Sequence, residues 1–178
     1  MKPALFATTV VVGLAAPTAV SGCSTADAPV VEPICSAQAF PPPHSEVWPC
    51  SASDVLRAAV STLYQLDPVV GLDARSMFEA ARPLMRAAYS TDTRVGASLW
   101  SPITVAVWQD WVEHHVPLRT EVRLTGDDHP PDTATSSSRV LSVTLTPADR
   151  TPIVFLVSAR STRPGSERAW LLAEMQVL

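Results

Sequence analysis

Apolar residues recur first at helical spacing and then at a spacing of two. Behind Ser53-Asp54, a pair suited to an N-cap, Val55, Leu56, Ala59, Leu63 and Leu66 fall on one stripe. Leu66-Asp67-Pro68 ends that helix, because the residue before a proline is pushed out of the helical region. Gly71 and Asp73 open a second helix whose stripe carries Met77, Phe78, Ala81, Leu84, Met85 and Ala88. Pro83 lies inside that stripe and predicts a break near Arg82, with Pro83 beginning the next segment. Ser101-Pro102 predicts a third start, serine as N-cap and proline at the first helical position. Val105, Trp108, Trp111, Val112 and His115 share its face, and Pro117 stops it.

From there the period is two. Residues 118–125 set Arg119, Glu121 and Arg123 against Thr120, Val122 and Leu124, a charge-balanced solvated face against a half-apolar one. Residues 139–146 set Leu141, Val143 and Leu145 against Ser142, Thr144 and Thr146. Ile153-Val154-Phe155-Leu156-Val157 is continuously apolar and predicts a strand covered on both faces. In the last strand Leu171, Ala173, Met175 and Val177 line one face, and Trp170, Leu172, Glu174 and Gln176 the other. Pro147-Ala148-Asp149 and Pro164-Gly165 suit tight reversals, while Gly126 to Ser138 reads as a polar, mobile loop. The expectation is an α+β domain over residues 51–178, with N-terminal helices packed on a four-stranded antiparallel curved sheet.

The start of the chain follows different rules. Met1-Lys2 carries a positive charge, and the uncharged stretch from Ala4 to Val20 is broken by Pro17 and Thr18 too early for a spanning helix. It ends in Val20-Ser21-Gly22-Cys23, where the sequence resembles bacterial lipoproteins. The resemblance implies that residues 1–22 are a signal peptide and that Cys23 carries a diacylglycerol thioether as the mature N-terminus. Two or more acyl chains anchor stably, since each buried methylene contributes about 0.8 kcal/mol and one chain alone is marginal. The chain is then held on the extracytoplasmic face of the cell membrane.

Residues 23–50 read as a tether. Six prolines fall between Pro29 and Pro49, including Pro41-Pro42-Pro43, and no apolar period appears. With Cys23 lipidated, Cys35 and Cys50 are the remaining thiols, and an oxidising compartment favours a bridge between them. Closing that loop contributes about 3 kcal/mol in the chain-entropy model and folds Phe40, the proline run and Trp48 back onto the domain.

Composition narrows the function classes. The chain has 178 residues, 47% apolar and 17% charged, which suits one domain with a tail. Lys2 is the sole lysine and asparagine is absent, a pattern that codon bias in a GC-rich genome produces. The net charge of −4 becomes −5 once Lys2 is removed, leaving twelve arginines against seventeen acids. That argues against nucleic acid as a partner.

Helices, a tryptophan-bearing helix and a closing meander together look like the nuclear transport factor 2-like cone fold. The domain is similar, over residues 54–178, to the extracytoplasmic domains of assembly subunits of type IV secretion systems and their conjugation relatives. The residues that carry the likeness are Leu66-Asp67-Pro68, Ala81-Arg82-Pro83-Leu84, Trp108 with Trp111, and Ala169-Trp170-Leu171-Leu172-Ala173-Glu174-Met175. Small cone-fold proteins associated with lipid-import operons are a second similar group. The secretion subunits usually hold to the membrane by a spanning helix, whereas the lipoprotein resemblance implies a lipid here.

Reactive constellations are scarce. Glu113-His114-His115 sits in a last helical turn, where adjacent side chains diverge and histidine complements the helix dipole. Asp127-Asp128-His129-Pro130 reads as a turn before it reads as a cation site. Glu174 is the best single polar candidate for a cavity, without a partner for acid–base work. Trp108 and Trp111 read as a core stripe before an aromatic platform. We therefore expect no catalytic residues, no metal and no cofactor. The functional expectation is a lipid-anchored, non-enzymatic interaction module that meets other envelope proteins, plausible contact residues being Trp108, Trp111, Trp170 and Glu174. The alternative is a cone that holds a small hydrophobic ligand. Hydrolytic or isomerase chemistry would require His114, His115 or His129 to meet a carboxylate inside a pocket.

Overall fold

Ser51 sets where the first helix starts. The computed structural model describes residues 35–92, 102–126, 129–148 and 150–178. In it α1 spans Ala52–Leu63, and the Ser51 side chain accepts from the Asp54 N–H at 3.2 Å. The cap therefore lies two residues before the expected Ser53-Asp54, a start that places the Asp54 carboxylate in the positive first turn. The helix also stops earlier than the apolar stripe. Tyr64 caps it, and Asp67 and Leu72 exchange backbone hydrogen bonds in a turn that leaves Leu66 buried outside the helix.

The second helix agrees with its local signals. Asp73 caps α2, Ala74–Ala81, by accepting from the Ser76 N–H at 2.8 Å, and those bonds hold its carboxyl below its ordinary pKa. Pro83 then sits in a 3-10 turn over Arg82–Leu84, and α3 follows over Ala87–Asp92. The fourth helix, α4, spans Val105–Glu113 with Thr104 as N-cap, accepting from the Val107 N–H at 3.3 Å. The helix thus begins three residues beyond Pro102, and Ser101 lies outside the described residues.

Four antiparallel strands follow in the order β1-β2-β3-β4: Leu118–Leu124, Ser136–Pro147, Ile153–Thr162 and Leu171–Val177. Leu141, Val143 and Leu145 of β2 are fully buried, as their alternation predicts, beneath Val55, Leu56, Val60 and Phe78 of the helices. This is the α+β arrangement of helices packed with an antiparallel sheet.

Three details of the sheet differ from the sequence reading. First, β3 is covered on one face only: Val157 is buried, but Val154 and Leu156 are 63% and 38% exposed. A run without polar residues cannot report which of its faces meets solvent. Second, β4 does not alternate cleanly. Arg160 pairs with Glu174 but Ser161 pairs with Leu172, so Ala173 is an extra residue in a bulge. Leu172 before it and Met175 after it are therefore both buried, although they differ by an odd number of positions. Third, the second half of the 126–138 loop is pinned. Arg139 donates to both carboxylate oxygens of Asp132 at 2.7 and 2.6 Å, and β2 already starts at Ser136.

The segment before α1 is packed into the domain. Phe40 is in the core, His44 is buried with Nε2 2.8 Å from the Ala80 carbonyl oxygen, and the Trp170 N–H donates to the Pro49 carbonyl at 2.9 Å. Cys35 and Cys50 are bonded, with Cα atoms 5.8 Å apart. The packed domain therefore extends upstream of Ser51 at least to Cys35. Cys23 lies outside the described residues.

Candidate functional site

The two ends of the sheet carry different chemistry. One end, called here the turn end, holds the β2–β3 reversal, the start of β1 and α4. The other, the bridge end, holds the start of β2, the end of β3, Trp170 and the disulfide.

At the turn end α4 closes with two reverse hydrogen bonds. The Val116 N–H donates to the Trp111 carbonyl at 2.9 Å and the His115 N–H to the Val112 carbonyl at 3.2 Å. His115 occupies the left-handed position that this closure needs, with φ 48°, where glycine is the usual residue. Trp111 and Val116 are both buried as the turn closes. The apolar stripe read along α4 is not buried as a unit: of its residues Trp111 alone is buried, and Val105 and Val112 are 72% and 37% exposed. A short helix joined to the sheet at its last turn can bury one large side chain and leave its outer apolar positions in solvent. Trp108 is half-buried and borders an open cleft of about 250 Å³ with Leu66, Asp73, Arg75, Ile103 and Val105. The two tryptophans thus stand in different environments and form no joint platform.

The histidine cluster is spread over the same surface. His114 Nδ1 lies 3.1 Å from an Asp110 carboxylate oxygen, and Arg150 donates to the other oxygen of Asp110 at 2.6 Å. All three side chains are well exposed, which makes this a surface charge network that fastens α4 to the β2–β3 reversal. Glu113 and His115 are exposed. His129 lies near Arg139, 3.3 Å from its guanidinium, while Asp127 and Asp128 lie outside the described residues. Among the described residues no group of three or more His, Cys, Asp or Glu is placed to hold a metal ion.

Beside this network, Ile153, Val154 and Phe155 pair only with β2 among the described residues, and Val154 projects from the outer face. Sequence reasoning missed this feature because the run 153–157 lacks alternation. Its position against the single turn from β2 was the available signal.

At the bridge end Trp170 is 5% exposed, with the Arg163 guanidinium 4.4 Å from its ring centroid. Trp48, two residues from the disulfide, is 62% exposed. Glu174 faces solvent and accepts from Arg160 at 3.0 and 2.8 Å. The bulge at Ala173 explains this placement, since it turns Glu174 away from the core that Leu172 and Met175 enter. Burial pushes the Tyr89 hydroxyl pKa upward, and the Glu174 charge adds to that shift. Among the described residues no helix is long and apolar enough to cross a membrane.

No family model, no curated protein and no solved structure matches this chain.

Proposed function

We propose that the protein is a lipid-anchored, extracytoplasmic interaction module that works by docking onto other envelope proteins without chemistry of its own. The observation that carries the reading is the surface at the turn end. Val105 and Val154 are 72% and 63% exposed there, the latter on a stretch of β3 hydrogen-bonded on its β2 side. An exposed strand edge with apolar side chains favours pairing with another protein. The Cys35–Cys50 bond supports an oxidising compartment, and the lipobox-like Val20-Ser21-Gly22-Cys23 supports the anchor.

The order of elements and the strand bend that a bulge introduces support a cone-like, nuclear transport factor 2-like fold, and with it a place beside secretion or conjugation assemblies. His114 contacts the Asp110 carboxylate and Glu174 is ion-paired with Arg160, both on the surface, in keeping with a non-enzymatic role. The alternative, a hydrophobic ligand held inside the cone, draws no support from the core face of the sheet. Leu141, Val143, Leu145, Val157 and Leu172 are fully buried there against helix side chains.

The test is membrane fractionation with a clickable fatty acid. The wild-type chain is expected in the membrane fraction and labelled, and Cys23→Ala soluble and unlabelled. Membrane retention and labelling of Cys23→Ala would overturn the anchor. A protein purified strictly alone from gently solubilised membranes, as a monomer, would overturn the docking role.

A further inference from the structure

We infer that Trp48 is a second membrane contact, seated in the interfacial zone of the bilayer that holds the lipid anchor. The inference rests on the anchored reading and names a surface that this reading leaves unassigned. Trp48 is 62% exposed although it is among the largest apolar side chains in the molecule. Indole, with an apolar body and one N–H donor, is the side chain that concentrates at the boundary between headgroups and hydrocarbon.

Chain length selects the membrane as its occupant. Eleven residues separate Cys23 from Cys35, so the two ends of that segment are never more than about 40 Å apart. The disulfide then fixes Cys35 to Cys50 with Cα atoms 5.8 Å apart, and Trp48 precedes Cys50 by two residues. The side chain is thus leashed beside the bilayer, which raises its effective concentration there without any new affinity.

The surroundings set the depth. Glu46 is exposed, and Asp54 and Arg57 form an exposed ion pair, on the rim of an open groove that Trp48 also lines. These charges keep the contact at headgroup level and oppose entry into hydrocarbon. Two carboxylates against one guanidinium on this rim give anionic lipid no advantage, so neutral phosphatidylcholine is the surface to test. The geometry also orients the module. Trp170 donates its N–H to Pro49 at the bridge end, where Leu171, Thr162 and Ser136 pair in one row. Val154 pairs with Thr144, eight residues along β2, and so lies about 26 Å away toward the turn end. With Trp48 on the bilayer, the docking surface points away from it.

The experiment reconstitutes the full lipidated chain in phosphatidylcholine vesicles, with and without lipid brominated near the headgroup end of its chains, and reads tryptophan quenching. Quenching is expected in the wild type and is expected to fall at least twofold in Trp48→Phe. Fatty-acid labelling of the same samples separates the two claims. A labelled wild-type chain without quenching, or with equal quenching in Trp48→Phe, overturns this inference and leaves the anchor standing. An unlabelled wild-type chain overturns the anchor and this inference together.

Discussion

Arg160 and Glu174 stand opposite one another on β3 and β4, joined by hydrogen bonds of 3.0 and 2.8 Å, and the strand register slips by one residue directly beside them. Ala173 is the residue that the slip leaves over. It lets Leu172 and Met175 both enter the core and sends Glu174 outward. Deleting Ala173 removes the bulge, makes the Arg160–Glu174 and Ser161–Leu172 pairings consecutive, and leaves Leu172 and Met175 two positions apart on one face of a strictly alternating strand. Both side chains are therefore expected to stay buried, with a loss of no more than about 1 kcal/mol in urea unfolding. A loss of about 3 kcal/mol, the size of an expelled core side chain, would contradict this register.

The ion pair itself is a smaller effect. Both side chains are about half exposed, so Glu174→Gln is expected to cost about 0.5 kcal/mol or less. Urea unfolding of the two chains checks this, and a loss above about 1.5 kcal/mol would contradict a solvent-screened pair.

His115 offers a stabilising substitution. Its backbone sits at φ 48°, a conformation that glycine adopts freely and a side chain does not. His115→Gly is expected to raise stability by about 0.5–1 kcal/mol, seen as a higher unfolding midpoint in urea. A lower midpoint would mean that the His115 side chain holds the turn in some other way.

The Asp132–Arg139 pair predicts an acid dependence. The guanidinium of Arg139 brings the Asp132 carboxyl from 3.8 down to about 2. A depressed pKa stabilises the folded state above the unfolded value and loses that contribution as pH falls through the folded value. Asp132→Asn is therefore expected to cost about 0.5–1 kcal/mol at neutral pH, because Asp132 is half exposed and screened. The gap between wild type and variant should close between about pH 4 and pH 2. A gap that stays constant over that window would contradict the pairing.

The disulfide closes a loop with a sequence separation of 15. Cys35→Ser with Cys50→Ser is expected to lower stability by about 3 kcal/mol, read by urea unfolding under non-reducing conditions. No measurable loss would place the packing of residues 35–50 entirely on Phe40, His44 and the Pro49–Trp170 hydrogen bond.

Features that depend on neighbouring residues alone were legible in the sequence. Asp73 caps α2 because its carboxylate reaches amides three residues away, and Pro83 breaks the helix because it lacks an N–H. The buried stripe of β2 follows from strict alternation. Features that depend on a partner strand or helix were not legible. The β4 bulge is a relation between β3 and β4, and nothing within Leu171 to Val177 states it. Val154 is exposed because no described element covers the outer face there, a fact that five consecutive apolar residues conceal. On α4, Ser101 and Thr104 are both good caps, and only the fold decides where the helix begins. Of the contact residues read from sequence, Trp111 and Trp170 are buried structural elements, while Trp108 and Glu174 reach the surface.

The account turns on the claim that the turn end docks an envelope protein while the chain is held on the membrane. Site-specific photo-crosslinking in intact cells tests it most directly, with the probe at Val154 and a control probe at Arg57. The account predicts one discrete crosslinked envelope protein from Val154, none from Arg57, and loss of the Val154 product in Cys23→Ala. No product from Val154, or the same products from both positions, would contradict it.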